Sequence, residues 1–139
     1  MDVSSVRMTE LEEMKAEAAN RTIEELEFNS ETRKLFDELR KQILAVGSDI
    51  IELPGQNTVT YRVYDFFVEV IPRKRRLALV LNLDFDEADD PTQRAIDANE
   101  RAFVIHATES GGVIFRIEQA EHISAAMRLV RQAYEKVSE

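Results

Sequence analysis

Residues 77–83 read Leu77-Ala78-Leu79-Val80-Leu81-Asn82-Leu83. Leucine returns at every second position, and Ala78, Val80 and Asn82 fall between, which is the period of a strand and not of a helix. The same period continues upstream. Pro72 and the run Arg73-Lys74-Arg75-Arg76 make a connection. Before it, residues 66–71 put Phe66, Val68 and Val70 on one side and Phe67, Glu69 and Ile71 on the other. Tyr64-Asp65 is the expected hairpin corner. Residues 58–63 then set Val59, Tyr61 and Val63 against Thr58, Thr60 and Arg62. Pro54-Gly55-Gln56-Asn57 is a strong turn signal, and a short strand precedes it over residues 49–53. Successive strands joined by short turns imply an antiparallel meander.

Downstream, residues 84–91 form a polar acidic loop, and Pro91 suits the first turn of a short helix running to about Asn99. Residues 101–107 are expected to add a short strand. Gly111-Gly112 then turns the chain into a last strand, Val113-Ile114-Phe115-Arg116-Ile117.

A sheet with an apolar face needs cover, and two amphipathic helices offer it. Over residues 30–46, Leu35, Phe36, Leu39, Ile43 and Val46 make one stripe, with Asn29 or Ser30 as cap and Gly47 as a left-handed C-terminal residue. Over residues 120–137 the stripe is Ile123, Met127, Val130, Tyr134 and Val137. The expected fold is therefore α+β: an antiparallel sheet of four to five strands, packed on one face by an N-terminal and a C-terminal helix. Thr60, Arg62, Phe67, Glu69 and Ala78 are expected on the opposite, exposed face.

Residues 1–28 read as an acidic helical lead or linker, and residues 29–139 as a single domain. Thr9 with Glu12, and Thr22 with Glu25, have capping-box spacing. Leu11, Met14 and Ala18 make only a narrow apolar stripe between them.

Composition removes several function classes. The chain has 139 residues, 44% of them hydrophobic, enough for one domain with a core that needs no covalent staples. It has no Cys, which excludes disulfides, thiolate metal sites and Cys nucleophiles. No apolar run reaches the ~20 residues needed to span a bilayer, and the opening residues lack the basic and apolar regions of a signal peptide. The default address is cytoplasmic. The net charge is −9, but residues 1–28 contribute −5 of it with eight acids and three bases. The balance argues against broad phosphate-backbone binding and leaves room for a local basic patch.

The chemistry-bearing patterns fail one by one. A calcium loop begun at Asp84 puts Ala88 fifth, Asp89 sixth and Ala95 twelfth, where a ligand, Gly and Glu are required. A restriction-nuclease core built on Asp65 and Glu69 puts Ile71 where its Lys should stand. His106 and His122 belong to no metal-ligand spacing, and neither a Gly-x-Ser-x-Gly elbow nor a Gly-rich phosphate loop occurs. No catalytic residue, metal or cofactor is expected, and a non-enzymatic reading is preferred.

What remains is the basic run Arg73, Lys74, Arg75 and Arg76, with Tyr61 and Arg62 on the neighbouring strand as further candidate binding residues. Such a run contacts phosphate or a partner's carboxylates, or else it keeps a sheet edge soluble. The expected ligand is a nucleic acid end, a nucleotide or another protein domain. The alternative is a protein–protein interaction domain acting through the N-terminal helix and its Leu11/Met14/Ala18 stripe.

A family resemblance runs through the same residues. Thr22-Ile23-Glu24-Glu25 and Arg33-Lys34-Leu35-Phe36-Asp37-Glu38-Leu39 resemble the opening of the domain-of-unknown-function 5655 family. So do Val59-Thr60-Tyr61-Arg62, the aromatic strand ending in Ile71-Pro72, and the Leu-alternating strand after Arg75-Arg76. Asp89-Asp90-Pro91 and Leu129-Val130-Arg131-Gln132-Ala133-Tyr134-Glu135 complete a resemblance over roughly residues 22–136. The chain departs from the family's pattern where no Trp follows His106. The resemblance implies an uncharacterised prokaryotic domain, often at the C-terminus of longer proteins that include nuclease-like ones of restriction or defence type. Some members carry the label "predicted transport protein".

Overall fold

The computed structural model describes Ile23, Leu26, residues 28–98 and residues 112–138. Helix α1 spans Ser30–Leu44 and helix α2 spans His122–Ser138. The strands are β1 (Ile51–Pro54), β2 (Val59–Arg62), β3 (Phe66–Pro72), β4 (Leu77–Leu81), β5 (Ile96–Asp97) and β6 (Val113–Ile117). They form one antiparallel six-stranded sheet in the order β1-β2-β3-β4-β6-β5. The fold is α+β, and the meander β1 to β4 is present. The strand count exceeds the expected four to five because β5 pairs on the outer side of β6.

Strand register explains the core. Val59, Val70, Leu79 and Phe115 lie in one row across β2, β3, β4 and β6, and Tyr61, Val68, Leu81 and Val113 lie in another. All eight are fully buried in the cluster that also contains Phe36, Leu39 and Ile43 of α1 and Ile123, Met127, Leu129 and Val130 of α2. Ile23 and Leu26 are buried in the same cluster. Both helices pack on this one face and against each other. A helix long and apolar enough to cross a membrane is absent among the described residues.

Four local expectations change. First, Phe67 is not on the exposed face. The register shifts between Tyr61 and Arg62: Tyr61 pairs with Val68 and Arg62 with Phe66, so Phe67 is an extra residue on β3. A bulge of this kind breaks strict alternation and re-aims a side chain. Phe67 is fully buried and meets Tyr134 of α2 edge-on, with ring centroids 5.5 Å apart. The opposite face is also less open than expected at its centre: Glu69 is 5%, Val80 2% and Ile114 6% exposed.

Second, the helix expected from Pro91 does not form. Asp90 turns the chain instead, accepting from the Thr92 hydroxyl and from the amides of Thr92, Arg94 and Ala95 at 2.6–3.0 Å. Gln93 takes a left-handed φ of 58°, which a helix excludes. Third, α1 stops at Leu44 with Ala45 as its cap, and Gly47 serves space and not handedness. A Cβ on Gly47 would lie 2.3 Å from the Tyr134 hydroxyl, which donates to Asp49 at 2.7 Å. Fourth, part of the acidic loop is a short 3-10 turn, Phe85–Glu87, and its end is clasped onto α2. Gln132 holds both the amide and the carbonyl of Asp89 at 2.9 Å, and Arg128 pairs with its carboxylate.

The expected lead helix with Leu11, Met14 and Ala18, and the expected strand over residues 101–107 with His106, lie outside the described residues.

Candidate functional site

Chain direction sets the site. In a meander, the first and third turns fall at the same end of the sheet. Here the β1–β2 turn, closed by the Gly55 amide donating to the Thr58 carbonyl at 2.7 Å, neighbours the β3–β4 turn, closed from Arg73 to Arg76 at 2.9 Å. The start of α1 reaches the same end. Asn29 caps α1 by accepting from the Thr32 amide at 2.7 Å, and its amide nitrogen donates to the Lys74 carbonyl. The buried Thr32 hydroxyl reaches the same carbonyl at 3.4 Å. The cap therefore does two jobs: it closes the helix and pins the basic hairpin against it.

These three segments enclose a groove of about 1110 Å³, lined by Leu26, Phe28, Asn29, Gln56, Asn57, Ile71, Pro72, Arg73 and Lys74. Arg73, Lys74 and Arg75 are exposed and Arg76 is half-buried. Among the described residues, none of the four pairs with a carboxylate, whereas Arg33, Arg40, Arg94 and Arg128 each do. Phe28 is partly buried and packs against Phe36 with ring centroids 4.9 Å apart and planes tilted by 37°, and the Arg33 guanidinium lies 5.4 Å from the centre of its ring.

The other two candidate binding residues are not in this groove. Arg62 ends β2 beside the β2–β3 turn, at the end of the sheet away from the hairpin, where it is exposed and donates to the Tyr64 carbonyl at 2.8 Å. Seven strand residues at about 3.3 Å each separate it from the hairpin by roughly 20 Å. Tyr61 is fully buried, and its hydroxyl donates to Glu52 at 2.8 Å. The Arg40 guanidinium grips the same carboxylate with two bonds of 2.8 and 2.9 Å. Burial, then the negative charge and hydrogen bond of Glu52, hold the Tyr61 hydroxyl far above its ordinary range, so it stays neutral. The Glu52 bond also raises Arg40, which stays charged. This cluster fastens α1 to β1 and β2 and offers no free acid or base.

Sequence reading missed Gln56, Asn57, Phe28 and Asn29 as groove residues, and Arg40 with Glu52 as a pair. A signal for the first set existed: the parity of turns in a meander puts Gln56-Asn57 beside the basic hairpin. No group of His, Asp or Glu able to hold a metal ion occurs among the described residues.

Nearly all of the described residues, the groove included, correspond to one sequence family. The match is to a domain of unknown function, DUF5655, over residues 24–137. The chain belongs to the DUF5655 family. It covers the lead-in at the groove, the sheet and both helices, so the groove lies inside the DUF5655 unit. No curated protein and no solved structure matches the chain.

Proposed function

We propose that this DUF5655 domain is a non-enzymatic accessory module that binds an anionic ligand at the hairpin end of its sheet. The observation that carries the reading is the pair Arg73 and Lys74, which line a groove while free of carboxylate partners among the described residues. An uncompensated cation on a pinned backbone keeps its charge for a ligand and loses little entropy on binding. The ionisable cluster at Glu52, Tyr61 and Arg40 favours a binding role over catalysis, since its members are consumed by one another. The family resemblance supports a module attached to a longer protein that processes nucleic acid or acts in defence, and Arg75 and Arg76 extend the positive surface beyond the groove.

The test is binding of a fluorescent heparin oligosaccharide, a generic polyanion, to the full chain and to the variant with Arg73, Lys74, Arg75 and Arg76 replaced by Ser. The chain binds in a salt-dependent way, and the variant loses at least tenfold in affinity while its salt slope falls by roughly 2–3. Equal affinity in the two proteins sinks the reading, as does a chain that does not bind the probe.

A further inference from the structure

The walls of the groove differ in chemistry. Arg73 and Lys74 bring positive charge from the β3–β4 turn. Phe28 and Pro72 bring flat apolar surface, and Gln56 and Asn57 bring side-chain amides from the facing β1–β2 turn. A bare inorganic anion needs only the cations. A duplex backbone needs a long positive track, whereas the cations here sit in one four-residue turn and residues 29–139 as a whole carry −4. A ligand that meets all three walls has an anionic group, a planar apolar body and a hydrogen-bonding edge on that body.

We infer that the groove takes a nucleoside phosphate unit, free or at the 5′ end of a single strand. This rests on the anion-binding reading above and names its ligand class. Charge-assisted bonds from Arg73 and Lys74 hold the phosphate, with Arg73 offering the planar fork that matches its oxygens. The base lies against Pro72 and the part of Phe28 that Phe36 and Arg33 leave open, an apolar contact for one face of the base. Gln56 and Asn57 meet the base edge, as side-chain amides donate and accept in the pattern that base edges offer. The groove's volume of about 1110 Å³ is large enough for such a unit. Pinning of the hairpin by Asn29 and Thr32 keeps the phosphate wall in a fixed place against the start of α1, next to Phe28.

The experiment is fluorescence anisotropy with a labelled single-stranded tetranucleotide bearing a 5′ phosphate, bound to the full chain. Competitors are AMP, ribose 5-phosphate, inorganic phosphate and the same tetranucleotide, unlabelled and with its 5′ phosphate. AMP or the phosphorylated strand competes at least tenfold better than ribose 5-phosphate and inorganic phosphate. The double variant Gln56→Ala, Asn57→Ala weakens the probe five- to tenfold with no change in melting temperature, because both side chains are exposed. A phosphorylated strand at least tenfold tighter than AMP assigns the site to a strand end, and equal affinity assigns it to a free nucleotide. Equal competition by inorganic phosphate, ribose 5-phosphate and AMP overturns the nucleoside inference and leaves the anion-binding reading standing. No binding of the probe by a chain that still binds heparin oligosaccharide does the same. Probe binding unaffected by the four Ser replacements at 73–76 overturns both.

Discussion

Arg40 and the hairpin at 73–76 carry the same kind of charge under opposite constraints. Arg40 projects from α1 into a carboxylate that also receives a buried tyrosine hydroxyl, and each of its bonds to Glu52 is under 3 Å. Its charge is spent inside the fold. Of the hairpin cations, Arg73 and Lys74 line a groove, and none of the four has a carboxylate partner among the described residues, while the hairpin backbone is held by the cap of α1. The difference teaches how to separate a structural cation from a recognition cation in one small domain. In the first, the backbone depends on the side chain's partner. In the second, the backbone is fixed by other groups and the side chain is left over.

The comparison can be broken most directly at Glu52. Replacing Glu52 by Ala strands the Tyr61 hydroxyl in the core and leaves Arg40 without its partner, which costs about 2–3 kcal/mol. Denaturant unfolding reads this as a lower midpoint at unchanged slope, and a loss below about 0.5 kcal/mol would place the cluster's weight elsewhere. Tyr61→Phe removes the hydroxyl but keeps the ring, and Arg40 retains its pair. Its expected cost is smaller, about 1 kcal/mol, by the same measurement.

A comparable loss is expected in the loop that follows β4. Asp90 is pushed upward by partial burial, but the Thr92 hydroxyl and the amides of Ala95, Thr92 and Arg94 outweigh this and lower its pKa. Its stabilisation is therefore complete above the ordinary value of 3.8 and is lost as pH falls from there through the lowered native value. Asp90→Ala destabilises by about 1 kcal/mol at neutral pH, as loss of a cap does, and shows a shallower acid limb in unfolding followed against pH. An unchanged acid limb would remove Asp90 from the account. The smallest effect sharpens the contrast: the four Ser replacements at 73–76 change stability by less than about 0.5 kcal/mol in either direction while weakening anion binding at least tenfold. A large stability loss there would make the hairpin structural, like Arg40.

The legibility of this chain follows contact distance along the sequence. The alternation of Leu77, Leu79 and Leu81 and the stripe of Phe36, Leu39 and Ile43 are set by nearest-neighbour geometry, and both elements stand where the periodicity places them. Phe67 was misplaced because a bulge depends on how β2 and β3 register against each other, which neither strand encodes alone. The segment after Pro91 failed because Asp90 competes for local amides, so a helix-start residue was outbid by a turn. Gly47 is explained by Tyr134, far along the chain, and not by its own helix.

The candidate site divides the same way. The amino-acid sequence alone determined the α+β class, the meander and the location of the one run of four adjacent cations, because side-chain period and turn chemistry are local properties. Only the tertiary structure decided that the Tyr61 hydroxyl is taken up by Glu52, that Arg62 stands at the far end of the sheet, and that the hairpin shares a groove with Gln56, Asn57 and Phe28. Those outcomes depend on packing between separate segments of the chain, where no local preference can choose between one neighbour and another.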